Sequence, residues 1–139
     1  MKKHYELLEH TADIAIRVSG NTLPDLFKNA AAAMFDIMAG KKRGKKDKPE
    51  SFDINLKAPS LEDLFQNWLG ELLSLSAAKD LIFEDFKISE LSDNNIIAKV
   101  TGSAFRNYSP NIEIKAVTYH ELKVEKAQTG WQARVIFDV

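Results

Sequence analysis

No cysteine occurs in the chain, which excludes disulfides, zinc–thiolate sites and thiol nucleophiles. That fits a reducing cytoplasm, the compartment expected here. Long apolar runs are missing too: no stretch approaches the ~18 residues that a membrane-spanning helix needs, so no membrane association is expected. The opening "MKKHYELLEH" has two lysines with no apolar stretch behind them and does not read as a signal peptide. Neither charge is in surplus, with 19 basic against 20 acidic residues. A global basic field is therefore absent, and any attraction to RNA has to be local. There is no glycine-rich phosphate loop, Walker lysine or dinucleotide fingerprint, and no serine sits in a "GxSxG" context. The three histidines, His4, His10 and His120, show no metal-ligand spacing between any two.

What is present suffices for one domain, residues 1–139: 45% of the residues are apolar and 28% charged. Two segments share a start, "TLPDLFKNAAAAMFDIM" from Thr22 and "SLEDLFQNWLGELLSLS" from Ser60. In each, a hydroxyl stands as N-cap and an acid follows three residues later, Asp25 or Asp63. Apolar residues then recur at helical spacing, from Leu23 to Met38 and from Leu61 to Leu75. These are two amphipathic helices; the common start fits a duplicated unit or shared capping chemistry alone.

The remainder reads as strands. "HTADIAIRVSG" alternates, with Ala12, Ile14, Ile16 and Val18 on one face and Thr11, Asp13, Ala15 and Arg17 on the other. "SFDINLKA" is a strand between the helices, and "FEDFKISELSDNNIIAKVTG" is two strands around "SDNN". "NIEIKAVTYHELKVEKAQTGWQARVIFDV" is a hairpin turning at "AQTG". Both helices can cover one face of a mostly antiparallel sheet, which predicts a two-layer α+β sandwich.

The stretch "GKKRGKKDKP", which contains the connection at 41–48, carries six basic residues, one acid and two glycines. Its plainer reading is a solvated link; the sharper one is a phosphate-touching finger, at an entropic cost on ordering. His10 and His120 fall on the more apolar faces of their strands, where a hydrogen-bonded, partly buried structural role is expected. Lys115 falls on the opposite face, with Glu113, Tyr119 and Glu121, as a solvated lysine.

Asp13 and Asp138 each interrupt a strongly apolar strand. At the end of "WQARVIFDV", the Asp138 side chain and the Val139 α-carboxylate can reach one cation, and hard cations such as calcium take about 6–8 oxygen ligands. Asp13 joins them if the first alternating strand and the last are sheet neighbours. Without a cation, three clustered carboxylates repel. A divalent ion accounts for the acidic end; a frayed acidic tail is the plain alternative.

Together "EHTADIAIRVSG", "TLPDLFKNAAAAMFD", "EIKAVTYHEL" and the terminal "GWQARVIFDV" resemble the archease family, from near the N-terminus to the last residue. The match is less distinct at 41–48 and 80–111. The resemblance implies a two-layer α+β fold built on the strand-helix-strand-strand module called SHS2. It implies a non-catalytic role beside the RtcB-type RNA ligase, which joins RNA bearing a 3′-phosphate or 2′,3′-cyclic phosphate to a 5′-hydroxyl end. That ligase forms a guanylylated histidine with GTP and manganese. Archeases promote guanylylation and repeated turnover, in tRNA splicing or RNA repair, and can broaden nucleotide use.

Carried over by motif, the resemblance makes Asp13, Asp138 and the Val139 carboxylate ligands of a divalent cation, typically calcium. It makes Lys115 of "KAVTYH" a contact with the ligase, and RNA only an indirect partner. Two other readings compete. A metal-dependent phosphoesterase would usually need two metals ~3.5–4 Å apart, and more ligands than this set supplies. An RNA-binding adaptor would act through the lysine-rich connection, against a net charge near zero.

Overall fold

Helix α1 (Leu23–Ala39) starts where a hydroxyl can cap it: Thr22 is extended, at φ −127° and ψ 167°, and accepts the Asp25 amide hydrogen. Ser60 repeats this for α2 (Leu61–Lys79), accepting the Asp63 amide at 3.2 Å and donating its hydroxyl to the Asp63 carboxylate at 3.0 Å. Each cap satisfies an orphan donor of the first turn, worth about 1 kcal/mol. The structure, a computed structural model, describes residues 4–8, 13–42, 48–109 and 111–139. His10, Thr11, Ala12 and residues 43–47 of the basic connection lie outside the described residues.

In chain order, β1 (Tyr5–Leu8) and β2 (Ile14–Gly20) precede α1, and β3 (Glu50–Lys57) lies between the helices. After α2 come β4 (Leu81–Leu91), β5 (Asn95–Ala104), a 3-10 turn at Phe105–Asn107, β6 (Ala116–Val117), β7 (Lys123–Ala127) and β8 (Gly130–Asp138). The α+β class, the helices and the antiparallel pairing follow the reading of the sequence. The strands, however, form two sheets. One has the order β1-β2-β8, with β6 and β7 along the far edge of β8; the other is β3-β5-β4. That second sheet and α2 have the chain order strand, helix, strand, strand.

Helix α1 packs on β2 of the first sheet and on β4 of the second, and α2 packs on α1 and also reaches strands of both sheets. This position explains why α1 is apolar around so much of its circumference, with Leu26, Phe27, Ala30, Ala31 and Met34 fully buried. Phe27 meets Phe65 edge-on, with ring centroids 5.2 Å apart. Trp68, also fully buried, donates its indole N–H to the Phe27 carbonyl at 3.0 Å and so ties α2 to α1. An aromatic of this size loses about 3–5 kcal/mol on truncation to alanine.

Two parts of the strand reading are corrected. The first arm of the terminal hairpin is not continuous, because Thr118–Leu122 leaves the sheet between β6 and β7. Val117 faces Phe137, yet Lys123 already faces Arg134, so five residues of one edge stand against two of the other. His120 therefore sits in a turn, its side chain 67% exposed, rather than on the partly buried face of a strand. Ala15, placed with the polar face of β2, is fully buried against its cross-strand partner Ile136 on the side away from the main core.

Candidate functional site: the acidic corner at the end of β8

The last strand is held from both sides. β2 pairs antiparallel with β8 from Ile14 opposite Phe137 to Gly20 opposite Trp131. Carrying that register one residue further sets Asp13 opposite Asp138. Direct cross-strand partners project to the same face, with Cβ atoms about 5 Å apart. The expected adjacency of the first alternating strand and the last is thus met, with Asp13 and Asp138 next to its final pair. Asp13 is half-buried and Asp138 exposed.

On its other edge Asp138 pairs with Ala116, and its carbonyl accepts the Lys115 amide hydrogen at 2.7 Å. The Val139 side chain is partly buried against the hydrophobic core. The end of the described chain is therefore tied down by a pairing strand and an apolar anchor, rather than frayed. Lys115 is exposed, as its sequence position suggested, and its backbone is fixed directly beside the two acids.

Chemically, the corner offers two side-chain carboxylates and the Val139 carboxylate, all hard oxygen donors suited to calcium, magnesium or manganese rather than to a thiophilic ion. Among the described residues no group of three or more His, Cys, Asp or Glu side chains is arranged to hold a metal ion. A cation here would have two side chains plus the terminal group, with further ligands drawn from water or a partner. Two buried serine hydroxyls are engaged within the fold: Ser76 donates to the Leu81 carbonyl and Ser103 to Glu84.

The reading of the sequence missed what shapes the edge beside the corner. Glu62, Asp63 and Gln66 in the first turns of α2 lie against the excursion and its flanks. Gln66 donates to the Val117 carbonyl at 2.8 Å and Glu62 accepts the Val124 amide at 3.3 Å, while the Asp63 carboxylate lies close enough to the Tyr119 phenol to act on it electrostatically. What burial Tyr119 has, together with the Asp63 carboxylate, holds its phenol above the usual value. No local signal could have revealed these contacts, since Gln66 and Val117 stand 51 residues apart. The acids at 62 and 63 read equally well as ordinary helix-dipole partners.

Comparison with known proteins places this architecture. The model of the Archease protein family matches residues 5–139. Protein archease of Methanosarcina acetivorans is 38% identical over an alignment covering 99% of this chain and 97% of that one. Protein archease of Pyrococcus furiosus is 37% identical, with 99% of each chain covered. The solution structure of Methanobacterium thermoautotrophicum protein 1598 matches with a TM-score of 0.76 and 27% identity, over 99% of this chain and all of that one. The crystal structure of a Thermotoga maritima protein described as an archease and possible chaperone matches at 0.68 and 28%, over 95% and 94% of the two chains. With the family model, near full-length relatives and the same fold in agreement, the chain belongs to the Archease protein family.

Proposed function

We propose that this protein is a non-catalytic activator of an RtcB-type RNA ligase, promoting ligase guanylylation and repeated turnover in tRNA splicing or RNA repair in the cytoplasm. Family membership supports a helper role, and the Thermotoga relative's description as a possible chaperone points the same way. The observation that supports the reading is the β2–β8 register, whose last pair, Ile14 opposite Phe137, is followed directly by Asp13 on one strand and Asp138 on the other. Among the described residues no helix is long and apolar enough to cross a membrane, which accords with a partner met in solution.

In this reading Asp13, Asp138 and the Val139 carboxylate hold a divalent cation, calcium by preference. The bound ion would supply a compact positive charge at an exposed corner, able to stabilise negative charge on a nucleotide phosphate. The chain's own residues do the positioning. Backbone pairing with Ala116 and Lys115 fixes Asp138, the apolar Val139 side chain fixes the terminal carboxylate, and Lys115 reaches toward the ligase. RNA is met only through the ligase.

Single-turnover guanylylation of the cognate ligase with GTP and manganese, with and without this protein, tests the proposal. Acceleration by this protein is the expected result. No acceleration, or turnover of RNA ends or nucleotides by the isolated protein with Mg²⁺ or Mn²⁺, contradicts it.

A further inference from the structure

The Thr118–Leu122 excursion costs the sheet a stretch of ladder along the edge of β8, and it is nonetheless firmly built. Thr118 returns both its amide and its hydroxyl to the Ile136 carbonyl, at 3.0 and 2.9 Å. A turn closes from the Leu122 amide to the Tyr119 carbonyl at 3.1 Å, with Glu121 held at φ 53°. A β-carbon is disfavoured at that dihedral. The contacts of Glu121 with Arg134 and His120, both at 3.2 Å, oppose that strain. From the other side, Gln66 and Glu62 of α2 grip the flanks of the turn, with the Asp63 carboxylate near the Tyr119 phenol.

The product of this arrangement is an exposed aromatic ring in a fixed place. Tyr119 is 55% exposed, one of three large apolar or aromatic side chains left exposed among the described residues. Its backbone is fixed by the turn that closes on the Tyr119 carbonyl, and interface contacts rich in energy are drawn from exposed aromatic side chains so placed. The ring lies on the same edge of β8 as the acidic corner, three residues beyond Ala116, the partner of Asp138.

We infer that this excursion is the element by which the protein partner is gripped, with the Tyr119 ring as its principal contact. The inference rests on the activator reading above and assigns docking to the excursion while leaving activation to the corner. The surroundings select protein over nucleic acid. The basic row beside it is neutralised, Arg17 by Glu6, Arg134 by Glu121 and Lys123 by Glu125, and Glu62, Asp63 and Glu113 add negative charge, so among the described residues no unpaired cationic track runs along this edge for a phosphate backbone.

The test measures binding of the cognate ligase to the full-length protein by calorimetry, together with the half-saturating concentration for stimulated guanylylation. Tyr119→Ala is expected to weaken both by about tenfold or more while leaving the maximal stimulated rate within about twofold of wild type. Tyr119→Phe keeps the ring, loses only the hydroxyl, and is expected to stay within about threefold. Unfolding temperatures of both variants near that of wild type show that the fold is intact. Wild-type binding that Tyr119→Ala leaves unchanged, or a loss as large in Tyr119→Phe as in Tyr119→Ala, overturns this inference alone. Absence of any ligase binding by wild type overturns the activator reading and this inference with it.

Discussion

Glu84 gathers most of the polar contacts between the exit of α1 and the second sheet. Its carboxylate accepts from Lys42 at 2.8 and 3.1 Å, from Ser103 at 2.7 Å and from the Tyr108 hydroxyl at 2.5 Å. Burial by itself would raise this carboxyl, but the hydrogen bonds from Lys42, Tyr108 and Ser103 together hold it below its usual value. A depressed carboxylate stabilises the folded chain above the ordinary value of 4.5 and loses that contribution as pH falls through the lower folded value. Glu84→Gln is therefore expected to lower stability by about 1–2 kcal/mol near neutrality, a figure reduced for the site's partial exposure. The difference from wild type should shrink in acid; equal denaturation midpoints at pH 7 would contradict the assignment. At this scale, legibility followed locality. Asp13 and Asp138 stood out because each broke an apolar alternation. Glu84 did not, because its partners come from three separate segments.

Among the elements, the helices were the most legible, since capping and 3.6-residue periodicity are written within one segment, and both starts stand where Thr22 and Ser60 put them. β1 passed unnoticed: four residues with Leu7 and Glu6 exposed carry no clear alternation, and only pairing with β2 makes them a strand. The broken arm between β6 and β7 was read as continuous because alternation persists through Tyr119 and His120 while the backbone leaves the sheet. What stops it is tertiary, the three side chains from α2. The second arm turns where "AQTG" indicated, and its glycine is required there: Gly130 sits at φ 98°, and an added Cβ would stand 2.4 Å from the Gly20 carbonyl oxygen. Gly130→Ala should cost at least about 2 kcal/mol. Chemical denaturation would show it, and an unchanged midpoint would mean that the hairpin does not press on the end of β2 as described.

At the scale of the whole molecule, two sheets and two helices share one connected core, and the last strand of the chain lies between β2 and the β6–β7 edge. The corner is thus built on the interior of a sheet rather than on a tail, which suits a site that has to hold its shape against a partner. If Asp13, Asp138 and the Val139 carboxylate bind calcium, the ion favours the folded state by about 2.7 kcal/mol at a hundred times its dissociation constant. That corresponds to a rise of roughly 10 °C in melting temperature for a domain of this size. Asp138→Asn should remove most of the calcium-dependent rise; an equal rise in both proteins would place the ion elsewhere. The lysine-rich connection, by contrast, stays a matter of composition: Lys42 is engaged with Glu84, and residues 43–47 lie outside the described residues.

The most direct measurement is the single-turnover guanylylation rate of the cognate ligase at saturating concentrations of wild type and of Asp13→Asn. This substitution removes one charge at the corner while keeping the size of the side chain. A fall in stimulated rate of about tenfold or more, 1.4 kcal/mol in barrier, with ligase affinity and unfolding temperature unchanged, is the result expected. Full stimulation by Asp13→Asn would contradict the assignment of activation to the acidic corner.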